Sequence, residues 1–176
     1  MKHGLIGVLL LVLLQSCQNK YEVEDQMYDC LKRHYQEAGL DLEKLLTRAE
    51  DYYVAQGVLK TKEAAEKRHF YKRIADGEGI PEMRANELTD SLSKVFIGRK
   101  EFEDCLFSEG KVTKEKYENT AFFRFKEASE NLKEKSPQGI AACRIEHFSA
   151  EDFEHPYYRA ELLITIPRIC REAGNF

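Results

Sequence analysis

The chain has 176 residues, of which 43% are hydrophobic and 33% are charged. A hydrophobic fraction of this size excludes an intrinsically disordered chain, and the length suits one domain with a proper core. The 27 basic and 31 acidic side chains give a formal net charge of −4, and they are spread along the chain without a basic block. This distribution argues against nucleic acid as a partner.

The first sixteen residues have the layout of a secretory signal peptide. Lys2 provides the positive charge, and an apolar run extends from Leu5 to Leu14. The run is too short for a membrane span, which needs about twenty apolar residues. It therefore predicts export and not, by itself, a membrane anchor.

The four residues Leu14-Gln15-Ser16-Cys17 resemble the lipobox of bacterial lipoprotein precursors. In that family the cysteine thiol receives a diacylglyceryl group, a dedicated signal peptidase cuts before the cysteine, and the new N-terminus is usually acylated. The resemblance implies cleavage between Ser16 and Cys17 and lipidation of Cys17, although Gln15 departs from the small or aliphatic residue of the family. Two or three acyl chains hold a protein stably on a bilayer. An ordinary cleaved signal peptide is the alternative.

The residues after Cys17 bear on the destination of the protein. Gln18 is not the Asp that retains lipoproteins in the inner membrane of enteric bacteria, so the resemblance implies the outer membrane. Glu22, Glu24 and Asp25 resemble the acidic surface-export signals of Bacteroidetes lipoproteins, but acidic residues are also typical of a helix start. We expect a protein anchored to the outer membrane, with its periplasmic or surface orientation left open.

The spacing of apolar residues predicts an all-α domain over 25–176, which follows the signal peptide at 1–16 and a short lipidated tether at 17–24. We expect a single bundle of six to eight helices, several of them short. No repeat of fixed period indicates a solenoid.

Two helices that form a hairpin are predicted at the start of this domain. The first runs from Val23 to a stop at Gly39, and Asp41 caps the second, which ends near Gly57. A third helix is expected over 61–75.

Shorter helices are predicted in the second half of the chain. One begins at Pro81, and after a short amphipathic piece Thr113 caps one long helix, whose apolar stripe runs from Tyr117 to Leu132. Ser136 and Pro137 open another helix, since they provide a cap and a residue that suits the first turn.

The residue pattern near the end of the chain is compatible with two kinds of secondary structure. Ser149 and Asp152 match a capping box. The segment 157–170 fits a helix by one set of apolar residues and a strand by another, and we predict a helix because a lone strand would lack a partner. Pro167 is expected to kink or end the element.

Four cysteines remain once Cys17 is lipidated, and export to an oxidising compartment permits disulfides. Four cysteines allow three pairings, among which the sequence does not choose. We predict two disulfides, with one disulfide or buried free thiols as the alternatives. No two cysteines have the short spacing of a zinc ligand pair. The four are Cys30, Cys105, Cys143 and Cys170.

Candidate catalytic and metal-binding residues are few. Glu66 and His69 are three residues apart, as in di-iron helical bundles, but the second pair that such a site needs is matched only by Asp152 and His155 in a predicted turn. No nucleophile elbow or phosphate-binding glycine loop occurs. We therefore predict no catalytic residue, metal or cofactor, and an enzyme that uses His69, His147 or His155 is the alternative.

Three phenylalanines of the long predicted helix, Phe122, Phe123 and Phe125, cover more than one of its faces. Phe125 fits the core stripe, which leaves Phe123 as a candidate contact for a partner unless a neighbouring helix covers it. The sequence thus predicts a non-catalytic accessory or scaffold subunit, tethered by Cys17 beside a membrane-protein partner or complex. A hydrolase or metal-dependent enzyme and an inhibitor or immunity-type binding protein are the alternatives.

Overall fold

The computed structural model describes residues 20–79, 83–84, 86–95, 98–108 and 110–172. The predicted cleavage and lipidation residues, Ser16 and Cys17, and the predicted helix start at Pro81 lie outside these residues.

The described residues form nine α-helices and one turn of 3-10 helix, without a β-strand. The predicted all-α class, the single bundle and the helix over 157–170 are therefore confirmed. In chain order the elements are α1 Glu22–Glu37, α2 Leu42–Ala55, α3 Ala64–Ala75, α4 Glu87–Lys94, α5 Arg99–Ser108, α6 Lys114–Glu118, α7 Ala121–Glu130, α8 Pro137–His147, the 3-10 turn Glu151–Glu154 and α9 Pro156–Glu172.

The last helix, α9, is the central element of the bundle. It contacts α1, α2, α3, α4 and the 3-10 turn, while α3 also packs along α8. Apolar side chains on more than one face of α9 are inaccessible to solvent, which is typical of a helix surrounded by others. They include Tyr158, Ala160, Leu162, Leu163, Ile166 and Cys170.

The predicted hairpin of α1 and α2 is present. The Asp41 side chain accepts a hydrogen bond of 3.2 Å from the backbone N–H of Lys44, so it caps α2 as expected. Gly39 and Gly57 follow the two helices with φ values of +74° and +71°, a left-handed conformation that favours glycine at a helix end. The ends of α1 and α2 and the start of α2 could therefore be predicted from nearby residues.

One predicted element is wrong, because the long helix expected from Thr113 forms two helices, α6 and α7. Thr120, between them, has an extended backbone, and its hydroxyl accepts a hydrogen bond of 3.0 Å from the N–H of Phe123 and donates one of 2.8 Å to the carbonyl of Tyr117. A threonine side chain that bonds the backbone in this way caps a new helix and interrupts the old one. With this split the described residues contain nine α-helices, one more than the predicted six to eight.

The predicted caps nearer the C-terminus are confirmed. The Ser136 hydroxyl accepts a hydrogen bond of 3.1 Å from the N–H of Gly139 at the start of α8. Ser149 and Asp152 bond reciprocally, at 2.7 Å from the Ser149 N–H and 3.2 Å from the Asp152 N–H, but they open a 3-10 turn and not an α-helix. Pro167 does not end α9, which continues to Glu172.

The described residues contain one disulfide in place of the two predicted. Cys30 of α1 and Cys105 of α5 are bonded, with their Cα atoms 5.9 Å apart. Cys143 and Cys170 are buried free thiols. The single bridge joins helices that are far apart in sequence and leaves the other two thiols inside the core.

The first described residues are attached to the bundle. Tyr21 donates a hydrogen bond of 2.9 Å to Asp152, and Lys20 lies 3.2 Å from the carboxylate of Glu151. In the first turn of α1, the carboxylate of Glu24 accepts a hydrogen bond of 2.7 Å from the hydroxyl of Tyr158 in α9. Helix α1 begins at Glu22, within the residues 17–24 that were expected to form a short tether.

None of the helices in the described residues is both long and apolar enough to cross a membrane.

Candidate functional site

A cleft of about 290 Å³ opens beside α9, and side chains of α1, α5, α6 and α7 also line it; it is termed the α9 cleft. Its body is mainly apolar. The apolar lining includes Leu31, Val95, Phe102, Phe122 and Ile164. A mainly apolar concavity with a few polar groups is the usual form of a small-molecule site.

Two tyrosines belong to the lining of the α9 cleft. Tyr117 and Tyr157 both line it, and only 4% and 5% of their surfaces are exposed. Neither hydroxyl makes a hydrogen bond to another described residue, and neither is sealed inside the protein. The two phenols are thus hydrogen-bond donors that remain accessible within the cleft.

The surroundings keep both phenols protonated. Burial and the nearby carboxylate of Glu161 raise the pKa of Tyr157 well above 10, and burial likewise raises the pKa of Tyr117. The ring of Phe122 packs edge-on against Tyr157, with 5.3 Å between the ring centroids, and so fixes the position of Tyr157. At neutral pH the cleft therefore presents neutral donors and no phenolate.

A buried arginine beneath the cleft, Arg144, neutralises the charge of the cleft-lining acid Glu161. Arg144 forms a two-point ion pair with Glu161, at 2.6 Å from Nη2 to Oε1, and only 4% of the Arg144 side chain is exposed. The guanidinium carbon lies 4.9 Å from the ring centre of Tyr71 and 4.5 Å from that of Phe125. Because this charge is paired and stacked on aromatic rings, Glu161 does not make the cleft acidic.

The charges at the rim of the α9 cleft leave a positive surplus. Arg99 and Glu103 pair at 2.8 Å. Lys126, which also lines the cleft, makes no direct ion pair with another described residue, although it is close enough to help lower the pKa of Glu103 after the larger effect of Arg99. Two paired acids and one unpaired lysine favour an anion over a cation in the cleft.

The disulfide lies beside the cleft and attaches one of its walls. Cys30 precedes Leu31 in α1, and Cys105 is three residues after Phe102 in α5, so both cysteines neighbour cleft-lining residues. The principal packing partner of α5 is α1. The bridge therefore holds the α5 wall against the rest of the bundle.

The predicted partner-binding aromatic, Phe123, is half-buried and does not line the α9 cleft. Its ring packs edge-on against Tyr117, with 5.2 Å between the centroids. The phenylalanine of α7 that lines the cleft is Phe122. Phe123 thus supports a wall of the cleft from behind.

The histidines of the enzyme alternative occupy separate positions. His69 is exposed, while the neighbouring Glu66 is buried and pairs with Arg73 at 2.8 Å. His155 is buried, with Nδ1 accepting a hydrogen bond from the N–H of Tyr157 and Nε2 lying 3.0 Å from Asp25. Glu66 also accepts a hydrogen bond of 2.9 Å from the N–H of Lys60, so its contacts hold α3 to the segment before it, whereas His155 links the start of α9 to α1.

A second, more polar cleft of about 590 Å³ adjoins the start of α1. His147 lines it together with Lys20, Lys116, Arg124 and Asp152. Among the described residues there is no group of three or more His, Cys, Asp or Glu side chains that could hold a metal ion.

The residues that define the α9 cleft were not recognisable in the sequence. Tyr117, Lys126 and Tyr157 come from three helices, and no local spacing connects them. Their only sequence signal was that Tyr117 and Tyr157 lie in segments predicted to be helical, which does not distinguish a cleft from a core.

Comparisons of the chain with protein-family models, with curated proteins and with solved structures gave no match.

Proposed function

We propose that this protein is a lipid-anchored, non-catalytic accessory or scaffold subunit at the bacterial outer membrane, where it acts beside a membrane-protein partner. The anchor is Cys17, acylated after cleavage between Ser16 and Cys17. Two features support this proposal: the resemblance of residues 14–17 to a lipobox, and the start of the folded bundle shortly after Cys17.

The observation that carries the proposal is the short distance, in residues, between the proposed anchor and the bundle. Lys20 and Tyr21 already contact the 3-10 turn, at Glu151 and Asp152. Lys20 is the third residue after Cys17, and three residue steps of extended chain span at most about 11 Å. An acylated Cys17 would hold this end of the bundle next to the lipid headgroups.

A tether of this length favours a partner that is itself in or at the membrane. It raises the effective concentration of the domain near such a partner, whereas it keeps the domain from reaching far into the surrounding compartment. The same constraint orients the bundle, since the starts of α1 and α9 would both face the lipid. The surface available to a partner is then the side of the bundle and its far end.

The use of the buried charges supports a non-catalytic role. Glu50 is bonded by Lys67 at 2.9 Å and by Arg159 at 2.8 Å, and Arg73 pairs with the buried Glu66. The ion pairs of Glu50 connect α2 with α3 and α9, and the pair of Glu66 lies within α3, so these charges are paired inside the protein and are not presented to a substrate.

The anchor is tested by substitution of Cys17. The Cys17→Ala chain should leave the membrane fraction and lose incorporation of labelled palmitate, because the thiol at the proposed acylation site is gone. The matched control is Cys143→Ala, which removes a buried thiol and should leave both properties intact. Membrane association of Cys17→Ala that equals the unchanged chain would contradict the anchor.

The accessory role has a separate test. Affinity capture of the acylated chain from solubilised membranes should recover a stoichiometric membrane protein, reproducibly and in smaller amount with Cys17→Ala. Recovery of the chain alone, as a monomer, would contradict the role of accessory or scaffold.

A further inference from the structure

We propose that the α9 cleft is a binding site for a small carboxylate with a single apolar chain, held by the hydroxyls of Tyr117 and Tyr157 and by the ammonium group of Lys126. The site goes beyond the accessory role and does not depend on acylation of Cys17.

The size and lining of the cleft define the apolar part of the ligand. A volume of about 290 Å³ is at the lower end for ligand sites, so it suits one chain and not a two-chain lipid. Leu31, Phe102 and Phe122 come from three helices and provide apolar contact around that chain. Removal of the chain from water supplies the main attraction.

The polar groups define the other part of the ligand as an anion. Tyr117 and Tyr157 are 96% and 95% buried, yet their hydroxyls have no partner among the described residues. Neither hydroxyl is sealed from solvent, so each can donate to a ligand, and a carboxylate oxygen accepts such bonds strongly. Lys126 adds the only cation of the cleft that is not directly paired within the described chain.

The charges of the lining disfavour the opposite ligands. A cationic ligand would meet Lys126, and the two acids that could attract it, Glu103 and Glu161, are already paired with Arg99 and Arg144. A neutral alcohol with the same chain could occupy the apolar body but would not gain the attraction of the lysine. The site should therefore prefer the carboxylate to the alcohol.

The test is equilibrium dialysis of labelled octanoate against the whole chain as purified, with the same buffer without protein as the blank. Octanoate should bind with one-to-one stoichiometry and at least about tenfold more tightly than octanol, since a hydrogen bond to a charged group is worth about that factor. Acetate, which lacks the apolar chain, should not bind measurably. Equal affinity for octanoate and octanol, or no binding of octanoate, would overturn the proposal.

Three variants locate the site. Tyr157→Phe and Lys126→Gln should each weaken octanoate binding, the first by about tenfold, and Lys126→Gln should leave octanol binding unchanged. The matched control is Lys133→Gln, which removes an exposed lysine of the same region that does not line the cleft. Octanoate binding that is unaffected by Tyr157→Phe and Lys126→Gln would place the ligand elsewhere and overturn the proposal.

The carboxylate site and the membrane anchor are tested independently of each other. Failure of Cys17→Ala to release the protein would contradict the anchor and leave the carboxylate site intact. Loss of the site would leave the anchor intact.

Discussion

The hydroxyl of Tyr53 donates a hydrogen bond of 3.0 Å to the backbone carbonyl of Leu163. In a regular helix that carbonyl would accept from the residue four positions later, which is Pro167 and has no N–H. Tyr53 is completely buried in α2, so a neighbouring helix supplies the donor that α9 lacks. This contact explains how α9 accommodates a proline in its interior.

Tyr53→Phe should destabilise the protein by about 1–3 kcal/mol, because it leaves the buried carbonyl of Leu163 without a donor. The free energy of unfolding in urea measures the effect. Pro167→Ala restores an N–H to α9, so the loss caused by Tyr53→Phe should shrink when the two changes are combined. Equal losses with Pro167 and with Ala at that position would show that the hydroxyl does not compensate for the proline.

The disulfide should contribute strongly to stability. Cys30 and Cys105 are 75 residues apart, and closing a loop of that length in the unfolded chain is worth about 4 kcal/mol. A chain with both Cys30→Ala and Cys105→Ala should lose about that much free energy of unfolding, and reductant should have no further effect on it. Alkylation of the unfolded, unreduced protein should label Cys143 and Cys170; protection of both would reveal the second bridge that the structure lacks.

Removing one member of the ion pair beneath the α9 cleft should destabilise the protein more than replacing both members. Glu161→Gln leaves the buried guanidinium of Arg144 without a counter-charge and should cost about 3 kcal/mol of unfolding free energy. Adding Arg144→Met removes that charge and places a flexible apolar chain between the rings of Tyr71 and Phe125, so the double variant should be more stable than Glu161→Gln alone. A double variant that is less stable than the single one would contradict this account.

The stability of the bundle should fall on the acidic side through Glu50. Burial by itself would raise the pKa of this carboxyl, but the hydrogen bonds and charges of Arg159 and Lys67 outweigh it and lower the pKa below the ordinary value of 4.5. A lowered pKa in the folded state gives stability that is complete above the unfolded pKa and is lost as the pH falls through the folded pKa. Unfolding free energy should thus decline from about pH 5 to about pH 3.

Substitution isolates the contribution of Glu50. Glu50→Gln should be less stable at neutral pH and should show a smaller decline between these two pH values, since the titrating group is gone. Glu63→Gln, which changes an exposed carboxylate, should retain the decline of the unchanged chain. A decline in Glu50→Gln as steep as in the unchanged chain would assign the acid sensitivity to other groups.

Local residues were sufficient to predict much of the fold. Asp41 and Ser136 cap their helices, and Gly39 ends α1, because each acts on backbone within about four positions of itself. Thr120 is as local, but its side chain can either cap a new helix or sit within a longer one. Packing of α6 and α7 selects the first, which is why the predicted long helix was wrong.

By itself, then, the sequence determined the all-α class, the hairpin and the main helix caps, and it predicts the lipid anchor at Cys17. Only the tertiary structure decided that Cys30 pairs with Cys105, and it brought Tyr117, Lys126 and Tyr157 to one cleft. The physical reason is the range of the interactions: caps and apolar periodicity act within a few turns of chain, whereas a disulfide partner or a cleft depends on how separate helices pack. Pro167 is another example. The sequence shows the proline, but only the fold shows that the hydroxyl of Tyr53, 110 residues from Leu163, donates to the carbonyl that the proline leaves without a partner.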